Sequence, residues 1–212
     1  MPMLREKVAR LLRFYEKLDK AKGRDYSYVK GTEVGEFAIS CLVEVDQALD
    51  ELVRDGVIDP SKPFLDAGCG DARVVALANV YGFPSYGVEG DLKFLREGES
   101  NLSRLRRKGI LTRGVPAVVF HGKFSVDSTY EGAGLRFSDF STIFNYISNV
   151  ETIATKIARD SPPGTVFILY GSELEAPPFD GLRIERSLTL LDTSRKDPKD
   201  VLCHVYVKEL RI

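Results

Sequence analysis

Histidine and cysteine are scarce in this chain. Two histidines, His121 and His204, stand far apart among 212 residues, so a His-rich metal centre is not expected. Three cysteines, Cys41, Cys69 and Cys203, are odd in number and widely spaced; they give no disulfide framework and fit a reducing compartment. No stretch approaches the roughly 18 apolar residues of a membrane helix, and the residues after Met1 lack the apolar core of a signal peptide. A cytoplasmic protein with no membrane partner is the expectation. An excess of one charge is missing too, with 30 Lys and Arg against 31 Asp and Glu. That balance excludes no class of partner, because clustering decides.

Clustering is present. Residues 1–30 hold nine Lys/Arg against four Asp/Glu, 31–71 hold two against ten, and 91–113 swing back to seven against three. Such blocks read as solvated helix faces or as a basic rim for an acidic partner.

The length suits one α/β domain with an added element. Leu4, Val8, Leu11, Leu12, Tyr15 and Leu18 recur at helical spacing and predict a first helix ending near Gly23. An aromatic connector, 24–31, follows. Thr32 is the expected N-cap of a second helix striped by Val34, Phe37, Ala38, Cys41, Leu42, Val45, Leu49, Leu52 and Val53. Residues 1–57 therefore read as a helical extension and lid, and 58–212 as the main domain. There the pattern alternates: strands over 63–66, 85–89, 117–120, 141–146 and 165–170, with helices over 71–81 and 91–108 and a third one opened by a Ser148/Glu151 capping box. Residues 182–191 and 201–210 are two more strands with no helix between them. The expected fold is α/β: a doubly wound, mostly parallel seven-stranded sheet ending in an antiparallel hairpin.

Phe64-Leu65-Asp66-Ala67-Gly68-Cys69-Gly70-Asp71-Ala72 runs off a strand into a helix. Glycines two apart let the backbone turn tightly and approach a ligand. Glu89 ends the next strand 19 residues after Gly70, where an acid binds ribose hydroxyls. Arg73 stands where a dinucleotide site places a third small residue, and the Gly-Lys-Ser/Thr ending of a phosphate loop is missing. Asp66 and Asp71 repel a pyrophosphate and suit the cationic methionyl end of S-adenosylmethionine. A nicotinamide or flavin site, or a turn without ligand, stays open on these residues alone.

The chain resembles class I, Rossmann-like S-adenosylmethionine-dependent methyltransferases. Asp66 to Ala72 is similar to their glycine-rich motif, Tyr86-Gly87-Val88-Glu89-Gly90 to their ribose-binding motif, and Ser161 to Thr165 to their Pro-Gly turn. The resemblance implies S-adenosylmethionine as cofactor, held by Asp66, Gly68, Cys69, Gly70, Glu89 and Gly90. By position it implies an adenine site at Lys123 and Phe124, with Lys where Asp or Asn is usual. Tyr28-Val29-x-x-Thr32, Ser148-Asn149-Val150 and His204-Val205-Tyr206-Val207 resemble small archaeal protein-lysine methyltransferases. That likeness implies that Tyr28 and Thr32 cover the donor.

Asn145 and Tyr146 end the fourth strand of the domain, where such sheets react, and with Asn149 are the expected acceptor-positioning groups. No Asn/Asp-Pro-Pro-Tyr/Phe signature of base methylation occurs, nor a Pro-Cys nucleophile. A protein lysine is the expected acceptor, and no metal is expected. The rivals are an RNA methyltransferase using the two basic blocks and a catalytically silent, cofactor-binding interaction module.

Overall fold

The computed structural model describes residues 2–25, 28–32, 35–146, 148–172, 175–192 and 200–210. α1 (Pro2–Lys22) buries Val8, Leu11, Phe14 and Tyr15 on one face. β1 (Val29–Thr32) and β2 (Gly35–Ala38) form an antiparallel hairpin, and α2 (Leu42–Arg54) follows. Then come β3 (Phe64–Ala67), α3 (Arg73–Tyr81), β4 (Ser85–Glu89), α4 (Leu92–Arg107) and β5 (Ala117–His121). The short α5 (Ser128–Glu131) and a 3-10 turn at Phe137–Asp139 lead to β6 (Thr142–Tyr146), α6 (Val150–Asp160), β7 (Val166–Ser172), β8 (Leu182–Leu191) and β9 (Asp200–Lys208).

Seven strands form one sheet in the order β5-β4-β3-β6-β7-β9-β8. The first five are parallel; β9 runs antiparallel to both β7 and β8. All four residues of β3 are buried, as a central strand covered on both faces requires. α1 to α4 pack on one face in a single core with Phe64, Phe144, Ile168 and Val205. Ile153 and Ile157 of α6, with Tyr130 and Phe140, cover the other. No helix among the described residues is long and apolar enough to cross a membrane.

Two local expectations fail. Thr32 caps no helix: α2 starts ten residues later, with Cys41 as N-cap, and Val34 lies outside the described residues. The spacing of Phe37, Ala38 and Cys41 is compatible with a helix, but Phe37 and Ile39 alternate at a period of two and pack together on Phe94, which is strand behaviour. The stretch 1–57 is thus helix, hairpin and helix, and both helices join the core of the sheet. The Ser148/Glu151 capping box is also absent. Asn149, in the left-handed region at φ 55°, caps α6 with no side-chain bond to its backbone, and the Ser148 hydroxyl accepts from Asn149 Nδ2 at 3.2 Å.

Candidate functional site

The carboxyl ends of β3 and β4 build the site. After Ala67 the chain turns through Gly68 (φ 91°) and Gly70 (φ 51°), conformations that cost a Cβ-bearing residue steric strain. The amides of Gly68 and Cys69 donate to the Val88 carbonyl at 2.9 and 3.0 Å, pinning the turn to β4. Glu89 then ties two loops together. Its Oε2 accepts from the Gly70 amide at 2.8 Å and its Oε1 from the Asp91 amide at 2.7 Å. A carboxylate has about four lone-pair sites, so acceptor capacity remains on the side facing the cavity.

That cavity has a volume of about 350 Å³, within the range of small-molecule sites. The glycine-rich turn, Glu89–Gly90, the 122–125 loop, Thr32, Phe37 and Ser40 line it. Asp66 lines it at 3% exposure and makes no side-chain hydrogen bond or ion pair among the described residues. Burial first, then the charges of Glu89 and Asp71, push its carboxyl well above the usual range. Burial likewise raises Glu89, against the pull of its backbone donors. A Cβ built at Gly68 meets no atom within 4 Å, so the turn leaves open space there. An acid lacking a partner beside an open backbone cradle fits a cationic ligand.

The hairpin is seated on the glycine-rich turn. A Cβ at Gly70 would overlap the Phe37 ring, which stacks on Phe94 of α4 at 3.8 Å between centroids. The Arg24 guanidinium lies 5.2 to 5.7 Å from the rings of Tyr28, Phe37 and Phe94 and donates to Glu97 at 2.7 and 3.2 Å. Burial pushes the Glu97 carboxyl up, but Arg24 and Lys22 outweigh it and hold the group below its ordinary value.

Arg73 anchors the turn from below. Its guanidinium donates to Asp71 at 2.7 and 2.9 Å and to Asp19 of α1 at 2.9 and 3.1 Å. The Asp71 carbonyl accepts from Tyr15 and Asn101 at 3.3 and 3.1 Å. The first helix is thereby tied to the cavity floor.

Of the residues singled out in the sequence, Thr32, Asp66, Gly68, Cys69, Gly70, Glu89, Gly90, Lys123, Phe124, Tyr146 and Asn149 all line the cavity. Tyr28 stands behind Phe37, packed in the cluster with Phe94, and not in the wall. Asn145 is also outside it: at 1% exposure its Nδ2 donates to the Ala67 carbonyl at 2.8 Å, bracing β6 against β3. His121 bonds through Nε2 to the Gly90 carbonyl at 3.2 Å. Glu36, Phe37, Ser40, Ser125 and Thr152 line the cavity without having been foreseen as site residues. The alternation of Phe37 and Ile39 after Gly35 is the signal that points to the first three. Ser125 and Thr152 carry none. Among the described residues no three His, Cys, Asp or Glu side chains converge on a metal position.

No family model and no curated protein matches this chain. Solved structures do match. A candidate RNA methyltransferase from Pyrococcus horikoshii is 14% identical, with a TM-score of 0.62 over 99% of this chain and 100% of that one. An RNA methyltransferase from Salinibacter ruber in complex with S-adenosylhomocysteine is 15% identical, with a TM-score of 0.53 over 78% and 93% of the two chains. Magnesium protoporphyrin IX methyltransferase from Synechocystis, with bound S-adenosylmethionine, is 15% identical, at 0.54 over 79% and 81%. The chain has the seven-stranded, Rossmann-like fold that these methyltransferases share.

Proposed function

We propose that the chain is an S-adenosylmethionine-dependent methyltransferase. One observation carries the reading: Asp66 and Glu89, at the carboxyl ends of adjacent parallel strands, line one cavity with a glycine-rich turn between them. When bound, S-adenosylmethionine supplies a methyl group already activated on a sulfonium. Asp66 would hold the cationic methionyl end, Glu89 the ribose hydroxyls, and Phe124 and Lys123 the adenine. Phe37 and Thr32 exclude water from above, and Tyr146 and Asn149 line the acceptor side. In-line alignment and exclusion of water are the main demands of such a transfer.

Two predictions test the cofactor site. Asp66 is held neutral until the pH passes above its raised value, and a cationic ligand requires the ionised form. Affinity for S-adenosylmethionine should therefore fall as the pH drops through that value, and binding below it should release a proton. Calorimetry in two buffers of different ionisation enthalpy reads this directly, and pH-independent binding would remove Asp66 from the role. The hairpin should act as a lid, since weakly held covering segments order on binding. Amide exchange at 28–32 and 35–38 should slow when the cofactor is added; equal rates with and without it would sink the lid.

For the acceptor, a protein lysine rests on the short sequence likeness and on a polar, uncharged end of β6. Asn145, turned into the sheet, no longer contributes to the second argument. RNA is the second reading, favoured by the RNA methyltransferases among the matching folds and by the arrangement of cations described next. Transfer of labelled methyl into protein and RNA fractions, with and without RNase, decides between them. Label in neither, despite cofactor binding, favours another acceptor or the silent interaction module.

A further inference from the structure

The two basic blocks of the sequence lie against each other in the fold. α1 runs antiparallel to α4: Arg10 donates to the Lys108 carbonyl at 2.6 Å, the Arg104 guanidinium lies 4.8 Å from the Phe14 ring, and Arg24 reaches Glu97 at 2.7 Å. Arg10, Arg13, Lys17 and Lys20 recur at three- and four-residue steps, which puts them on one side of α1 with about 5–6 Å between neighbours. Arg10 marks its edge next to α4, and Arg13, Lys17 and Lys20 are exposed beside it. α4 and its C-cap add Arg104, Arg107 and Lys108.

Against these seven cations stand Glu6, Glu16 and Glu99 on or beside the same faces. Glu97 is already held by Lys22 and Arg24. Arg13, Lys17, Lys20 and Arg107 are exposed and have no carboxylate partner among the described residues. The whole chain carries a net charge of −1, so this is a local concentration of charge. The apolar face of α1 is spent in the core, which leaves none to lie in a lipid surface. The seam follows the 16 residues of α4, about 24 Å at 1.5 Å per residue. Its near end, at Arg24 and Leu92, adjoins Gly90 and the hairpin, which line the cavity. A repeating row of cations leading to a cavity suits a polymer with one charge per unit.

We propose that the α1–α4 seam docks single-stranded or looped RNA, guiding a nucleotide to the cavity mouth. The guiding step rests on the methyltransferase reading; the docking does not. The test is binding of a fluorescent 20-nucleotide RNA to the full chain across a salt series. Four or five neutralised phosphates give a slope of log K against log salt of roughly −3. Replacing Arg13, Lys17, Lys20 and Arg107 together by Ala should weaken RNA binding at least thirtyfold and flatten the slope. S-adenosylmethionine affinity, read by calorimetry, should not change. Arg159→Ala, an exposed cation on the opposite helical layer, should leave RNA binding intact. Equal RNA affinity in the fourfold variant overturns the seam, as does a polyglutamate peptide that competes as well as RNA. Salt-dependent RNA binding that falls in the variant, with no cofactor binding in any form, supports the seam and overturns the reading of the cavity.

Discussion

Replacing Arg73 by Met is expected to destabilise the chain by about 3–5 kcal/mol, the usual cost of removing one partner of a buried ion pair. Arg73 is 4% exposed and Asp71 1% exposed, so neither group has water to fall back on. Burial alone lowers the proton affinity of a guanidinium, yet Asp71 and Asp19 together hold Arg73 above its ordinary value. Without Arg73 the Asp71 carboxylate stays buried with no cation, at the foot of the glycine-rich turn. Asp71→Asn combined with Arg73→Met removes that charge, and part of the loss should return. Urea unfolding of the two variants measures both effects. A loss below about 1 kcal/mol for the single variant, the range of an exposed pair, contradicts this account of the anchor.

Glu89→Ala is expected to lower affinity for S-adenosylmethionine at least tenfold. Charge-assisted hydrogen bonds contribute about 1.5–3 kcal/mol each, and two ribose hydroxyls lose their acceptor. The same change leaves the amides of Gly70 and Asp91 without theirs, so the turn should also lose its fixed shape. Glu89→Gln keeps one side-chain oxygen for those amides and should fall between. Calorimetry on the three proteins separates the roles. Unchanged affinity in the Ala variant ends the ribose assignment, whatever happens to stability.

Much of the fold was legible because the sheet forces it. Strands covered on both faces need short apolar runs, which placed β4 to the residue; alternation placed the edge strand β8 to the residue, and the other strands of the seven-stranded sheet fell within two. The spacing of Leu92, Leu95, Leu102 and Leu105 marked α4, and Asp91 caps it, its Oδ1 accepting from the Lys93 and Phe94 amides at 2.8 and 3.2 Å. The hairpin was hidden because Val34, Phe37, Ala38 and Cys41 also satisfy a helical period. What decides there is contact with Gly70 and Phe94, far away in sequence. Asn145 was misleading for a related reason. Thr142 to Asn145 are all buried, so no polar–apolar alternation tells which side chains face the cavity. Phe144 and Tyr146 do, and Asn145 between them points the other way.

The place of β9 between β7 and β8 has a consequence during synthesis. β7 and β8 emerge from the ribosome first, yet neither is the other's neighbour in the finished sheet. From Ser172 to Lys208, at about 5–20 residues per second, the growing chain leaves one side of β7 bare for roughly 2 to 7 s. A bare strand pairs with whatever strand it meets, and β8 is the first one available. Arg183 and Arg186 of β8 form ion pairs with Glu185 and with Glu51 and Asp55 of α2 and its C-cap, respectively. The pairs from Arg186 tie β8 to α2, a helix that emerges well before β9.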